Sequence, residues 1–311
     1  MFRGRSLLIV GVVCYLYSVN GHGFNDNNKQ LINHLEQLSS SRFSGREPGT
    51  VGHTLASNYI AQHLISTSPL TNSITEVFTY KYGFNNKQGT NHLFIKTGSL
   101  YERKYIVITA HYDHLGKKSG KIYHGADDNA SGVAALLTLK SWLSSTDTNY
   151  SIVLLATDAE EEGLYGAKAF LSASTVKKSD IIFNINLDMI SYGTKQQNLY
   201  IVGTRKRPEL KTLVEKVNQT AEVNFTYKSR LKDNSISSVK SYINLHKASD
   251  HYEFHKSDIP YLFVTGENHK NYHSTNDTFE NINMSFYSEA FESIKNLILA
   301  VDQDLSQKNK I

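Results

Sequence analysis

The sequence holds a single cysteine, Cys14, and only four prolines in 311 residues. Cys14 lies in an N-terminal stretch that reads as a removable signal, so the mature chain has no thiol. It can form no disulfide, use no cysteine nucleophile and build no thiolate zinc site. Any metal must then be held by histidine, aspartate and glutamate. With 19 glycines and four prolines the chain is neither collagen-like nor proline-rich. The lack of a repeat at a period of about 20–50 residues argues against a solenoid. Nor is one charge in surplus: 33 basic against 29 acidic residues give +4, and +2 without Arg3 and Arg5. That near-balance, with no basic block, argues against a nucleic-acid binder. A chain that is 40% hydrophobic and 20% charged is globular, and this length suffices for one large core.

Residues 1–21 read as a secretory signal peptide and 22–311 as a single domain. Arg3 and Arg5 supply the positive end, and Leu7–Tyr17 is an apolar run that ends near Val19-Asn20-Gly21. The run is shorter than the roughly 20 residues that span a bilayer. A secreted or periplasmic protein, with no stable membrane insertion after cleavage, is the expectation. A retained membrane anchor and a lipid on Cys14 are the alternatives.

Past the signal, strand and helix patterns alternate. Tyr105–Ala110, Ser151–Ala156, Ile181–Leu187 and Ile259–Val264 are short, nearly continuous apolar runs, as suits strands covered on both faces. Thr54–Ser66, Gly132–Leu143, Pro208–Asn218 and Ser285–Val301 carry helical spacing, and Pro208 fits a first helical turn. Asn72–Gly98 reads as a strand pair. Such alternation predicts an α/β fold.

Open α/β sheets bind ligands beyond the carboxyl ends of their strands, and polar residues follow all four predicted strands. His111-Tyr112-Asp113 follows the first; a ligating imidazole needs its second nitrogen hydrogen-bonded, and Asp113 is near enough to serve. Gly125–Gly132 (GADDNASG) opens a helix with two adjacent acids, which fits a site or simple helix capping. Glu160-Glu161-Glu162 follows the second strand; the triplet is a solvated loop unless cations draw the carboxylates together. Asp188 closes the third, and His273 lies beyond the fourth. Nitrogen and oxygen donors of this kind suit zinc, and less specifically manganese or cobalt.

These motifs, with Glu160–Gly166 and Tyr272-His273, resemble metallopeptidase family twenty-eight over about residues 34–301. This is the group of bacterial secreted leucyl aminopeptidases and glutamate carboxypeptidases. Ser249-Asp250-His251 and Gly45-Arg46 also look like the family. The resemblance implies a three-layer α/β/α sandwich with a mixed, mostly parallel central sheet. It implies two zinc ions bridged by Asp127, one completed by His111 and Asp188, the other by Glu161 and His273. Glu160 would be the general base acting on a metal-bridging hydroxide, Asp113 would support His111, and Glu162 would be free. Asp128 would follow Asp127 through a cis peptide. Where some relatives carry an oxyanion-stabilising tyrosine three residues before Ser-Asp-His, this chain has His246; with Asp128 and Asp250 it is a candidate for such a supporting role.

The implied activity is a monomeric aminopeptidase acting on the N-termini of peptides or small proteins. A carboxypeptidase or dipeptidase of the same fold would need a basic pocket, for which Arg205 and Arg207 are candidates. A glutaminyl cyclase would use one zinc, and a non-catalytic ectodomain would be expected to lose ligands or the base.

Overall fold

A computed structural model of the chain describes residues 26–65, 68–232 and 242–308. The proposed signal lies outside the described residues, and no helix among them is long and apolar enough to cross a membrane. The chain begins with helices α1 (Asp26–Leu38) and α2 (Val51–Leu64). Thr50 caps α2, its hydroxyl accepting from the His53 amide. A hairpin follows, β1 (Thr71–Tyr82) with β2 (Asn85–Lys96), where a strand pair was expected. Then come β3 (Tyr101–His111) and the two-residue strands β4 (Lys117–Lys118) and β5 (Lys121–Ile122). Next are α3 (Gly132–Leu143), β6 (Tyr150–Thr157), α4 (Tyr165–Ala173), β7 (Ile181–Leu187) and β8 (Leu199–Val202). The chain continues with α5 (Pro208–Asn218), β9 (Phe225–Tyr227), β10 (Arg230–Lys232) and β11 (Tyr242–Asn244). It closes with α6 (His251–Lys256), β12 (Tyr261–Thr265) and α7 (Met284–Lys308).

Eight strands form one sheet in the order β1-β2-β6-β3-β7-β12-β8-β9. The central strands β6, β3, β7 and β12 are mutually parallel, β8 is antiparallel to β12, and the hairpin joins antiparallel at β6. The fold is therefore the expected α/β/α sandwich on a mixed, mostly parallel sheet. Strand side chains alternate between faces. Ile106 and Ile108 join a core with Leu31 of α1, Val133 of α3 and Phe291 of α7. Val107 points the other way, into a core with Phe170 of α4 and Phe254 of α6. Every residue of β6 is buried, as its unbroken apolar run requires. Each such buried aliphatic side chain contributes about 1.5–3 kcal/mol through the hydrophobic effect.

Because the four central strands run the same way, their carboxyl ends meet at one edge. His111 ends β3 directly beside Thr157 of β6. Asp188 follows β7, and the segment containing His269 and His273 follows β12.

Candidate metal centre

The acidic pair is presented by an irregular turn, not by a helix end. Gly125 starts it in the left-handed region (φ 58°), and Asp128 and Asn129 leave helical geometry before α3 begins, joined by a cis peptide bond. The Asp277 carboxylate accepts from the amides of Asp127 and Asp128, at 2.9 and 3.1 Å. Asn129 ties the turn to the end of β7 by donating to the Leu187 carbonyl at 2.9 Å.

This turn corrects the expected bridge. The Asp127 carboxylate is committed elsewhere: it accepts from the Ser191 amide and hydroxyl, at 2.9 and 2.6 Å, and lies 3.0 Å from His269 Nε2. Asp128 is the acid at the convergence. Its Oδ1 is 3.5 Å from His111 Nε2, and its Oδ2 is 3.0 Å from His273 Nε2 and 3.7 Å from His114 Nδ1. The cis bond correspondingly falls after Asp128, one residue later than expected. The left-handed start at Gly125 and the break at Asp128 turn the second acid, not the first, toward the strand ends.

Two donor groups result. His111, Asp128 and Asp188 form one; His114, Asp128 and Glu161 form the other. Within each, one donor atom per residue lies within 4.8 Å of the rest. Asp188 Oδ1 sits 3.4 Å from His111 Nε2, and His273 Nε2 lies 3.4 Å from Glu161 Oε1. His114 Nδ1 is 3.0 Å from the same Glu161 oxygen. Of the predicted residues, the structure thus brings together His111, Asp128, Glu160, Glu161, Asp188 and His273 on one cavity wall. Glu162 is drawn away to the hairpin, where it accepts from Tyr80 at 2.7 Å and pairs with Lys87.

Asp113 does more than the expected support of His111. The ring Nδ1–H donates to the Asp113 backbone carbonyl at 3.2 Å, whereas the carboxylate is 3.7 Å away. That carboxylate instead accepts from the amides of Glu160 and Glu161, at 3.0 and 3.1 Å, and so sets the acidic loop. Asp250 is buried just behind, accepting from Thr157. Burial pushes its carboxyl up to about 7.

His246 is not in the site. Its Nδ1 is 3.1 Å from the Tyr261 hydroxyl, and it lines a different cavity of about 510 Å³ with Arg205, Arg207 and His255. Its place in the short turn into α6 carries it to Tyr261, at the amino end of β12, whereas the site lies beyond the carboxyl end. His114, His269 and Asp277 were not singled out from the sequence. A second imidazole in His111-Tyr112-Asp113-His114 was a visible signal for the first of these.

The donors fit divalent cations on two grounds. His111 Nδ1 donates to a carbonyl, so Nε2 of a neutral ring aims its lone pair at two carboxylates, which is repulsive unless a cation intervenes. Asp188 Oδ1 is buried with no hydrogen-bond partner among the described residues, a costly state for an acid. The protonation balance agrees. Burial, reinforced by the charges of Glu161 and Asp188, lifts the Glu160 carboxyl well above its usual range. Burial opposes protonation of His273, yet Asp128 and Glu161 hold its pKa up to about 10. Each group is seeking positive charge.

Arg46 lies fully buried beneath the site. Nε donates to the Tyr112 carbonyl, Nη1 to those of Leu38 and His124, and Nη2 to that of Gly125, at 2.7–2.8 Å. It ties the His111–His114 segment to the turn of the acidic pair. Arg46→Met is expected to cost about 3–5 kcal/mol, because it strands four carbonyls and removes a buried cation among acids. Urea unfolding would measure this, and a loss below about 1 kcal/mol would contradict the role.

The sequence profile of peptidase family M28 matches residues 94–298. The chain is 30% identical over 224 residues to the alkaline phosphatase isozyme conversion protein of Escherichia coli K12, covering 67% of this chain and 63% of that one. It is 28% identical over 238 residues to the aminopeptidase YwaD of Bacillus subtilis 168, covering 73% and 47%. The chain thus spans less than two thirds of either relative. Among solved structures, a Fimbriiglobus ruber glutaminyl cyclase superposes with a TM-score of 0.69 at 16% identity, covering 89% of this chain and 96% of that one. A Zn-dependent exopeptidase from Parabacteroides distasonis gives 0.67 at 17% identity, covering 88% and 97%. At these identities the structures show a shared fold.

Proposed function

The chain belongs to peptidase family M28, and from that premise we propose that it is a dizinc aminopeptidase that releases N-terminal residues with apolar side chains from peptides. The observation that carries this reading is the pair of donor groups sharing Asp128 on the wall of a cavity that also holds Glu160. His111 and Asp188 would hold one ion, Glu161 and His273 the other, with Asp128 between them. When bound, such ions lower the pKa of water from about 15.7 to about 7 and polarise a carbonyl.

The chain's own residues supply the rest. Glu160 lines the cavity with a carboxyl biased toward protonation, as suits a group that takes a proton from water and passes it to the departing amine. Asp113 fixes Glu160 through its backbone amide, leaving the side chain free to exchange protons. The far wall is apolar, formed by Met189, Leu231, Ile243, Leu245 and Phe263, in a cavity of about 160 Å³ that the acids and imidazoles also line. No lysine or arginine lines this cavity among the described residues. Arg205 and Arg207, the candidates for a carboxypeptidase pocket, lie in the other cavity. The apolar run Leu7–Tyr17 behind Arg3 and Arg5 supports an exported enzyme.

A panel of aminoacyl anilides tests this. Leucyl and phenylalanyl substrates should exceed lysyl and glutamyl ones by about 10–100-fold in kcat/KM. Ile243→Asp should lower the leucyl rate by about 10-fold or more and narrow the gap to lysyl. Release of residues from the carboxyl end of a peptide, or cyclisation of an N-terminal glutamine in place of hydrolysis, would contradict it.

A further inference from the structure

The geometry points to His114 as a direct ligand of the ion on the Glu161 side, so that the two ions are held unequally. This rests on the two-ion reading above. Donor atoms at the corners of a tetrahedron, about 2.0–2.2 Å from a zinc ion, lie about 3.3–3.6 Å apart. His114 Nδ1 stands 3.0 Å from Glu161 Oε1 and 3.7 Å from Asp128 Oδ2. His273 Nε2 stands 3.0 Å from that Asp128 oxygen and 3.4 Å from that Glu161 oxygen. Both imidazoles therefore address the same two carboxylate oxygens.

The His114 ring is placed for this and for little else. It is buried, and its backbone amide donates to the Arg46 carbonyl at 3.2 Å. A Cβ at Gly125 would come within 2.5 Å of its Cδ2, so glycine at the head of the acidic turn makes room for the ring. With Nδ1 on the ion the ring proton would sit on Nε2, which has no hydrogen-bond partner among the described residues.

The consequence is an asymmetric centre. The Glu161-side ion would have four protein donors, Asp128, Glu161, His273 and His114, the closed set of a structural site. The other would have three, His111, Asp128 and Asp188, and so keep a position open for water or substrate. That opening lies on the His111 side, in the cavity that Glu160 also lines.

Zinc analysis with zinc K-edge X-ray absorption of the full chain tests this. Two zinc ions with about 1.5 imidazoles per zinc are expected, falling to about 1.0 in His114→Ala. At one equivalent of zinc the closed site should fill first, giving about two imidazoles per zinc. Chelator competition should show the tighter site weakened by at least about 10–100-fold in the variant. The native count requires no variant to fold. Two zinc ions with about 1.0 imidazole each in the native chain would overturn the proposal and leave His114 as a hydrogen-bond donor that positions Glu161. A single ion at saturating zinc would overturn the two-ion reading instead. About two imidazoles on that ion would still place His114 on it, and about one would remove His114 as a ligand.

Discussion

Asp128→Ala is expected to release both metal ions and to lower kcat/KM by on the order of ten-thousand-fold or more. Asp128 is the one residue common to both donor groups, so its loss opens both. Asp127→Asn is the paired control. Asp127 is equally buried and adjacent, but its carboxylate serves Ser191 and His269. Its replacement should cost about 1–3 kcal/mol of stability and leave most of the metal bound. Metal analysis and kinetics on the two variants decide the matter. The reverse pattern, with metal lost from the Asp127 variant and retained in the Asp128 variant, would restore the first acid of the pair as the bridge.

Glu160→Gln is the second large effect. The substitution keeps size and removes only the exchangeable proton. The loop should hold its shape, because Asp113 grips it by the amides of Glu160 and Glu161 and not by the Glu160 side chain. General acid–base catalysis contributes about 10²–10⁴-fold, so kcat should fall by that factor while metal content and KM change little. Glu161→Gln, by contrast, should weaken metal binding, since Glu161 lies among the imidazoles of His114 and His273. A Glu160→Gln enzyme within tenfold of native turnover would remove this residue from proton transfer.

Much of this organisation was legible in the chain. Gly132–Leu143, Pro208–Asn218 and Ile181–Leu187 form elements with the expected bounds, because long apolar periodicity and a Pro at the helix start leave few alternatives. The six-residue α6 and the short strands β8–β11 carried too little periodicity to read, and their packing comes from residues distant in sequence. The site divides the same way. His111, Glu160, Glu161, Asp188 and His273 stand at or beyond strand ends and were singled out by position, and the structure brings them to one cavity. Asp127 and Asp128 are chemically identical neighbours, and only the backbone torsions of the turn decide which one faces the strand ends. Asp277 and His269 act on that turn across 142–150 residues of sequence, a relation that no local pattern displays. His246 stood at a motif-related position, yet the turn leading into α6 places it beside Tyr261.

The most direct measurement is metal content and leucyl-anilide hydrolysis followed together through chelation and zinc readdition. Two ions per chain, hydrolysis that falls to background as they are withdrawn, and recovery on readdition are expected. Full hydrolysis by protein shown to be free of metal would contradict the account at its centre.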